Sequence, residues 1–280
     1  MNVGKKVAQF TAAVRASGLQ VAAAKAAKHV QFLLGSRHRY GDPTYQRRVA
    51  LYEGLNQRLN GIVGYGPFAG MRLPRETSWA GPDRSSMLLG MYEQEVVAKI
   101  ASYQCGSGVF IDLGAADGFY GVGVLLAGWF DTSYCYEMSE IGQKTLLRNA
   151  YENGVGDKVV VRGLASEKFY REIPAEQLAG TVVLIDIEGG EFDLLTAATL
   201  EALRRATIII EVHPWVDGGE ERLALLRSRA QATHDVSSFK TGARDPSQFE
   251  ELSGYNDTDR WLICSEDRPM LMTWLVLDRR

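Results

Sequence analysis

The chain has 280 residues, 46% of them hydrophobic and 23% charged, which is typical of a globular protein with a large core. Its net charge is −3, but residues 1–41 hold seven lysines and arginines and no acid, so the remainder sums to −10. Because phosphate neutralisation needs a basic face, this net-acidic body argues against nucleic-acid binding. The three cysteines are far apart and show neither a disulfide framework nor metal-ligand spacing, so we expect a reducing, cytoplasmic environment.

The first predicted element is helical and spans residues 3–34. Val3, Val7, Phe10 and Val14 recur on one face of a helix, and basic residues occupy the other face. Such a helix could pack on the protein, join two copies into a homo-oligomer, or lie at a membrane surface. No stretch reaches the roughly 18 uninterrupted apolar residues that a membrane span needs, and lysines interrupt the apolar block of a secretory signal.

Residues 60–85 are rich in glycine and proline, which is typical of a loop. We therefore predict a helical extension and loop over residues 1–84 and a catalytic domain over residues 85–280. The catalytic domain is predicted to open with a helix that Ser85 or Ser86 caps and that continues to about Ser102.

From residue 108, short apolar runs alternate with helical windows. This alternation predicts an α/β, Rossmann-like fold with a mostly parallel sheet and helices on both faces. The predicted strands are 108–113, 133–137, 158–162, 181–187, 206–212, 235–239, 260–264 and 270–277. The predicted helices are 119–129, 139–153, 189–204 and 218–232. The last two strands follow each other without a helix, which indicates an antiparallel end to the sheet.

The first predicted strand ends in an acid and a glycine-containing turn. Gly114 and Gly118 allow a ligand to approach the backbone closely. The dinucleotide fingerprint is incomplete because position 116 is Ala, and no Gly-Lys-Ser/Thr phosphate loop occurs in the chain. Asp112, at the strand end, could meet the ammonium of an amino-acid ligand. The turn therefore favours a positively charged nucleoside, with a dinucleotide as the alternative.

Acids also follow the next strands. Glu137 ends the second strand at the distance where a carboxylate binds a ribose diol, although it could simply face solvent. Asp186 and Glu211 end buried runs farther along, and His213 shares a side with Glu211. Glu191 is explained by complementing a helix dipole. Because ligands of open α/β sheets bind outside the carboxyl ends of the strands, these groups mark a candidate site.

These stretches together resemble the FkbM-type methyltransferases, a branch of the class I S-adenosylmethionine enzymes, over about residues 108–215. The resemblance lies in the sequences FIDLGAADGFY (110–120), YE (136–137), IDIEGGEFDLL (185–195) and IEVH (210–213). The chain has Ala116 where the family usually has Asn, Met138 where it usually has Pro, and Leu184 where Lys is common.

The resemblance implies a seven-stranded class I methyltransferase fold and O-methylation of a hydroxyl on a sugar, a glycan or a natural product. Methyl transfer from S-adenosylmethionine to an alcohol needs a base or a metal. We expect Asp186 and His213, with Glu211, to act on the acceptor as catalytic groups, or the three to hold Mg²⁺. The expected cofactor contacts are Asp112, Gly114, Ala116, Gly118, Glu137, Met138, Ala165 and Asp186.

Within that set, we expect the adenine between Met138 and the segment 162–166. Two other functions remain open. A nicotinamide-dependent oxidoreductase would use the same strand ends, and a non-catalytic scaffold protein would bind the cofactor without turning it over. Thermal shifts with each cofactor and a methyl-transfer assay separate these hypotheses.

Overall fold

The computed structural model describes residues 42–77, 81, 84–104, 106–268 and 270–280. Outside these residues lie Cys105 and the predicted helix over residues 3–34, with the oligomer and membrane contacts assigned to it. The chain divides into two compact units, Met1–Ala50 and Leu51–Arg280. In the first unit, residues 42–50 are described and contain the beginning of helix α1 (Pro43–Leu59).

A seven-stranded sheet with the strand order β3-β2-β1-β4-β5-β7-β6 lies at the centre of the second unit. Strands β1 to β5 pair in parallel, and β7 pairs antiparallel with both β5 and β6. This inserted antiparallel strand distinguishes the sheet from the 3-2-1-4-5-6 order of the dinucleotide-binding Rossmann fold. The mostly parallel seven-stranded sheet with helices on both faces confirms the predicted Rossmann-like α/β architecture. The strands are β1 (Val109–Leu113), β2 (Thr132–Tyr136), β3 (Val159–Arg162), β4 (Val182–Ile185), β5 (Thr207–Val212), β6 (His234–Lys240) and β7 (Thr273–Arg279).

Helices cover both faces of the sheet. On β4, Val182 and Leu184 belong to one hydrophobic cluster, whereas Val183 and Ile185 belong to a second. This alternation follows from the two-residue period of a strand. The other helices are α2 (Arg84–Leu88), α3 (Gln94–Ala101), α4 (Phe119–Leu126), α5 (Glu140–Glu152), α6 (Ala175–Leu178), α7 (Glu191–Leu194), α8 (Ala197–Ala202), α9 (Gly219–Ala230) and α10 (Asp257–Cys264). Within the described part of the chain, no helix has both the length and the apolar character to cross a membrane.

The segment between α1 and α2 contributes to the core. Val63, Phe68 and Met71 are buried in the same hydrophobic cluster as residues of β1 and α4. Phe68 lies so close to Gly123 of α4 that a Cβ on that glycine would come within 2.5 Å of its ring. The glycine- and proline-rich stretch is therefore a loop that packs into the second unit, which begins at Leu51 rather than at residue 85.

The helix predicted from Ser85 to Ser102 is interrupted. Ser85 and Ser86 are buried within α2, and the chain leaves helical geometry at Gly90 and Glu93, which have φ values of 66° and 44°. At Gly90 the backbone passes so near Tyr65 that a Cβ would lie 2.0 Å from its carbonyl oxygen. Tertiary contact with the preceding loop therefore separates α2 from α3.

The strand predicted over residues 260–264 is wrong, because these residues form the end of α10. The side chain of Asn256 caps this helix by accepting a hydrogen bond of 3.0 Å from the amide of Asp259. A short apolar run does not by itself distinguish a strand from a buried helix face. The antiparallel end of the sheet is confirmed, but α10 lies between its two strands. The helix predicted over 189–204 is likewise two helices, α7 and α8, with Thr196 capping the second.

Candidate active site

The chain leaving β1 passes directly against the chain leaving β4. Gly114 has φ of 94°, and a Cβ at this position would lie 1.8 Å from the carbonyl oxygen of Asp186. The amide of Asp186 donates a hydrogen bond of 2.9 Å to the carbonyl of Leu113. Only glycine permits this approach. The structure thus brings Asp186 to the glycine turn, as the order of strands in the sheet requires.

Glu137 connects the glycine turn with the end of β2. Its Oε2 accepts a hydrogen bond of 3.1 Å from the amide of Ala116, which is in the left-handed region at φ of 46°. Its Oε1 accepts one of 2.6 Å from the amide of Ser139. Each carboxylate oxygen can accept more than one hydrogen bond, so Glu137 keeps capacity for a ligand. Its contact with a ribose stays a prediction.

Asp112 lies beneath the turn. It is buried, and its Oδ2 accepts a hydrogen bond of 3.1 Å from the amide of Gly121 in α4. Burial raises the pKa of Asp112 to about 7, although the Gly121 amide opposes the shift. Gly118, which precedes α4, has φ of 86° and packs against Leu146. The structure gives Asp112 a supporting position under the turn, and its contact with a cofactor remains a prediction.

Apolar side chains are exposed where β2 and β3 end. Met138 is 65% exposed and Leu164 is 64% exposed, and Ala165 beside it is half-buried. The two strand ends are adjacent, because the amide of Glu137 donates a hydrogen bond of 3.1 Å to the carbonyl of Arg162. The residues expected around the adenine therefore lie at neighbouring strand ends and present an apolar surface.

Four carboxylates surround the imidazole of His213. Nδ1 lies 3.2 Å from Oε1 of Glu191. Nε2 lies 3.5 Å from Oδ1 of Asp186 and 3.5 Å from Oε2 of Glu211. Oε2 of Glu188 is 3.8 Å from the same nitrogen. Asp186, Glu211 and His213 thus converge as predicted, and one ligand atom from each lies within 4.8 Å of the others.

Glu191 fixes the orientation of this imidazole. The Glu191 side chain is completely buried. Its Oε1 accepts a hydrogen bond of 3.1 Å from the backbone amide of His213 and also contacts Nδ1 of the ring. Its Oε2 accepts a hydrogen bond of 2.8 Å from the amide of Gly189. Nδ1 therefore carries hydrogen toward Glu191, and Nε2 points at the other carboxylates. The sequence suggested that Glu191 complements a helix dipole, but this explanation is insufficient, because Glu191 also orients His213.

The carboxylates change the protonation of the cluster. Burial lowers the pKa of His213, but hydrogen bonds to Glu191 and Glu211 and the charge of Asp186 outweigh it and raise the pKa to about 10. Burial, with the neighbouring charge of Glu211, also raises the pKa of Asp186 well above its usual value. In the absence of another cation, the surrounding carboxylates therefore favour the protonated form of His213, and its catalytic role stays a prediction.

Asp186 is the member of the trio that opens to solvent. Its side chain is 37% exposed, whereas the side chains of His213 and Glu211 are 2% and 5% exposed. The Oδ1 atom of Asp186 is nevertheless buried and has no hydrogen-bond partner. One carboxylate oxygen therefore faces the cluster, and the other faces the space where a ligand would bind.

Arg268 binds the far side of the cluster. Its Nη1 donates a hydrogen bond of 2.8 Å to Oε1 of Glu211, and its Nε donates one of 2.8 Å to Glu266. The guanidinium also pairs with buried Glu93, which accepts a hydrogen bond from the Tyr120 hydroxyl. These residues were missed from the sequence. Residues 93, 266 and 268 lie outside the recognised motifs, and only the left-handed break at Glu93 marks its position.

An aromatic side chain borders the cluster. Trp215 is 47% exposed, and its ring lies edge-on to that of His213 with a centroid distance of 5.1 Å. The pairing of Val212 with Thr273 brings the residues before β7 to the same end of the sheet. Two of them, Met270 and Leu271, are also exposed. The acidic cluster therefore has an apolar border on the β5–β7 side.

No family model and no curated protein matches the chain. Several solved structures are similar in fold at low identity. Precorrin-8w decarboxylase from Methanobacterium thermoautotrophicum is 17% identical, with 68% of this chain and 91% of that chain covered and a TM-score of 0.44. A putative tRNA methyltransferase from Streptococcus pneumoniae, solved with S-adenosyl-L-methionine, is 15% identical, with 66% and 73% covered and a TM-score of 0.41.

A putative precorrin-6Y C5,15-methyltransferase domain from Corynebacterium diphtheriae is 19% identical, with 66% of this chain and 95% of that chain covered and a TM-score of 0.41. These likenesses concern the general arrangement of the sheet and helices.

Proposed function

We propose that this chain is an S-adenosylmethionine-dependent O-methyltransferase that acts on a hydroxyl of a sugar, a glycan or a natural-product small molecule. The observation that carries the proposal is the backbone crossing at Gly114 and Asp186. This close approach places the glycine turn, which could bind a nucleoside cofactor, next to the acidic cluster, which could bind the acceptor. The acceptor class comes from the resemblance to FkbM-type methyltransferases.

The turn and the strand ends would hold the cofactor. Gly114, Ala116 and Gly118 expose backbone at the turn, and Glu137 is placed to accept hydrogen bonds from ribose hydroxyls. The uncovered apolar surface at Met138 and Leu164 suits an adenine ring. Four carboxylates around a single imidazole favour a cationic ligand. S-adenosylmethionine supplies a sulfonium and a transferable methyl group when bound.

Asp186 is the residue best placed to act on the acceptor. The cofactor would supply the methyl group and keep the electron pair of the broken carbon–sulfur bond on its sulfur, and the carboxylate of Asp186 would accept the proton that the acceptor hydroxyl loses. Only Asp186 among the three converging residues has a substantially exposed side chain. Glu211 and His213 are buried, so they position Asp186 or, together with it, hold Mg²⁺ that activates the hydroxyl.

The test is cofactor binding followed by turnover. Calorimetry of the full chain should show binding of S-adenosylmethionine and none of NAD, and labelled methyl should pass to an acceptor from a panel of sugars and glycosides. Asp186→Asn should reduce turnover by about 10²–10⁴-fold at a saturating concentration of the cofactor. Glu221→Gln, an exposed acid in α9, is the control.

Two outcomes favour the alternatives. Binding of NAD without S-adenosylmethionine would support an oxidoreductase. Tight binding of S-adenosylmethionine with no transfer to any acceptor of the panel would support a scaffold protein.

A further inference from the structure

We propose that Asp186, Glu211 and His213 bind a divalent transition-metal ion through two carboxylate oxygens and one imidazole nitrogen. The distances between the donor atoms fit such an ion. Nε2 of His213 lies 3.5 Å from Oδ1 of Asp186 and 3.5 Å from Oε2 of Glu211. Ligands about 2.1 Å from a tetrahedrally coordinated ion are separated by about 3.4 Å. The imidazole nitrogen therefore has the spacing from both carboxylate oxygens that ligands of one ion would have, and one ligand atom from each residue lies within 4.8 Å of the others.

The groups around the ligands provide independent support. Metal-binding histidines usually donate their second ring N–H to a carboxylate, which orients the free nitrogen. Glu191 does this for His213 from a completely buried position. Arg268 binds Oε1 of Glu211 at 2.8 Å, which leaves Oε2 directed at the imidazole. Two of the three ligands are thus held in place by a separate charged partner.

Oδ1 of Asp186 supplies a second observation. It is buried against the cluster and accepts no hydrogen bond. Buried polar atoms in native proteins are almost always paired, and a bound ion is one of the partners that can satisfy an atom without a hydrogen bond. A cation between Asp186, Glu211 and His213 would pair this oxygen, which otherwise lies 3.5 Å from the imidazole nitrogen.

The donor set indicates which ion is preferred. Mg²⁺ favours an all-oxygen environment, whereas imidazole nitrogen is a good ligand for transition metals such as Zn²⁺ and Fe²⁺. One nitrogen and two carboxylates suit Mn²⁺ or Zn²⁺ better than Mg²⁺. This choice goes beyond the magnesium alternative for the proposed O-methyltransferase. The ion's part in activating the acceptor hydroxyl rests on that proposed function, but its binding does not.

Metal binding to the full chain can be measured without turnover. After treatment with a chelator and its removal, Mn²⁺ is titrated while the electron paramagnetic resonance signal of free Mn²⁺ is followed, and Zn²⁺ and Mg²⁺ are added as competitors. We expect one Mn²⁺ site, displacement by Zn²⁺, and binding of Mg²⁺ at least tenfold weaker. Asp186→Asn and His213→Gln should abolish the site.

Glu191→Gln should weaken Mn²⁺ binding about 10- to 100-fold, since it removes the partner that orients a ligand. Glu221→Gln is the matched control and should bind Mn²⁺ like the wild type. Circular dichroism identifies any variant that fails to fold. If a variant of a buried residue fails to fold, Asp186→Asn still tests the site, because Asp186 is half-exposed.

Absence of a stoichiometric Mn²⁺ or Zn²⁺ site in the wild type would overturn the proposal, as would wild-type affinity in folded Asp186→Asn. Mg²⁺ binding as tight as Mn²⁺ would overturn the choice of ion. Retained metal binding without methyl transfer would count against the proposed enzymatic function and leave the metal site intact.

Discussion

Oε1 of Glu191 contacts His213 at two atoms: it accepts a hydrogen bond of 3.1 Å from the backbone amide and lies 3.2 Å from Nδ1 of the ring. The two residues are 22 positions apart, and the contact joins the beginning of α7 to the end of β5. It places a completely buried carboxylate behind an almost completely buried imidazole. The ring's other nitrogen is consequently directed at Asp186 and Glu211.

Replacing His213 should therefore cost stability as well as function. In chelator-containing buffer, His213→Gln removes the imidazole that four carboxylates surround, and loss of one partner of a buried ion pair costs about 3–5 kcal/mol. Urea denaturation measures the loss. His234→Gln is the control, because His234 is equally buried but bonds to Thr233 and the Leu203 carbonyl instead of acids. Equal losses in the two variants would contradict the charge-based explanation.

Asp112 should make stability depend on pH. Its pKa is raised to about 7 in the folded chain from an unfolded value of about 3.9. The folded state therefore favours the protonated form, and this contribution is lost as pH rises from about 4 to 7. Asp112→Asn removes the cost of ionising a buried carboxyl group. The unfolding free energy of the variant minus that of the wild type should therefore rise by more than about 1 kcal/mol between pH 5 and pH 8.

Urea denaturation at the two pH values measures this change, with Asp157→Asn as the control for removing an exposed acid. If the variant instead loses stability relative to the wild type as the pH rises, burial does not disfavour the ionised form of Asp112.

Glu137→Ala should weaken S-adenosylmethionine binding by about 1–3 kcal/mol, the range for hydrogen bonds to a charged group. The substitution also frees the amide of Ala116, so the turn itself should become less ordered. Isothermal calorimetry measures the dissociation constant, and Glu152→Ala at the other end of α5 is the control. An unchanged constant would refute the ribose assignment.

Trp215→Ala should raise the KM for an acceptor about 2- to 10-fold, because an aromatic contact is worth about 0.5–1.5 kcal/mol. Affinity for S-adenosylmethionine should not change, since the tryptophan borders the acid cluster rather than the glycine turn. Leu225→Ala, an exposed apolar residue in α9, is the comparison. If only cofactor affinity fell, the acceptor would have to approach from another side.

Deletion of residues 1–34 should change the mass measured by light scattering or the partitioning onto anionic vesicles. Cofactor affinity should stay within a few-fold, because the turn and the acid cluster begin far beyond this segment in the chain. A truncated protein with wild-type mass and partitioning would show that the segment serves neither assembly nor membrane contact.

The convergence of Asp186, Glu211 and His213 could be predicted because each lies at or just after the end of a buried apolar strand, and neighbouring parallel strands have their carboxyl ends at the same edge of the sheet. Glu93 and Arg268 could not, since they reach the cluster from loops with no periodic pattern. Glu191 was undervalued because a local explanation, the helix dipole, already accounted for an acid at its position. For residues 260–264, the run of four apolar residues from Trp261 to Cys264 was too short to distinguish the two-residue period of a strand from the 3.6-residue period of a helix.

The position of β7 has a consequence for synthesis. It is the last strand in sequence order, yet it fills the gap between β5 and β6. Until residues 273–279 leave the ribosome, β5 presents a bare edge that could pair with another nascent chain, and β6 has no neighbour at all. Folding of this sheet is therefore completed only after translation of its final strand, and chaperone dependence should be greatest in that interval.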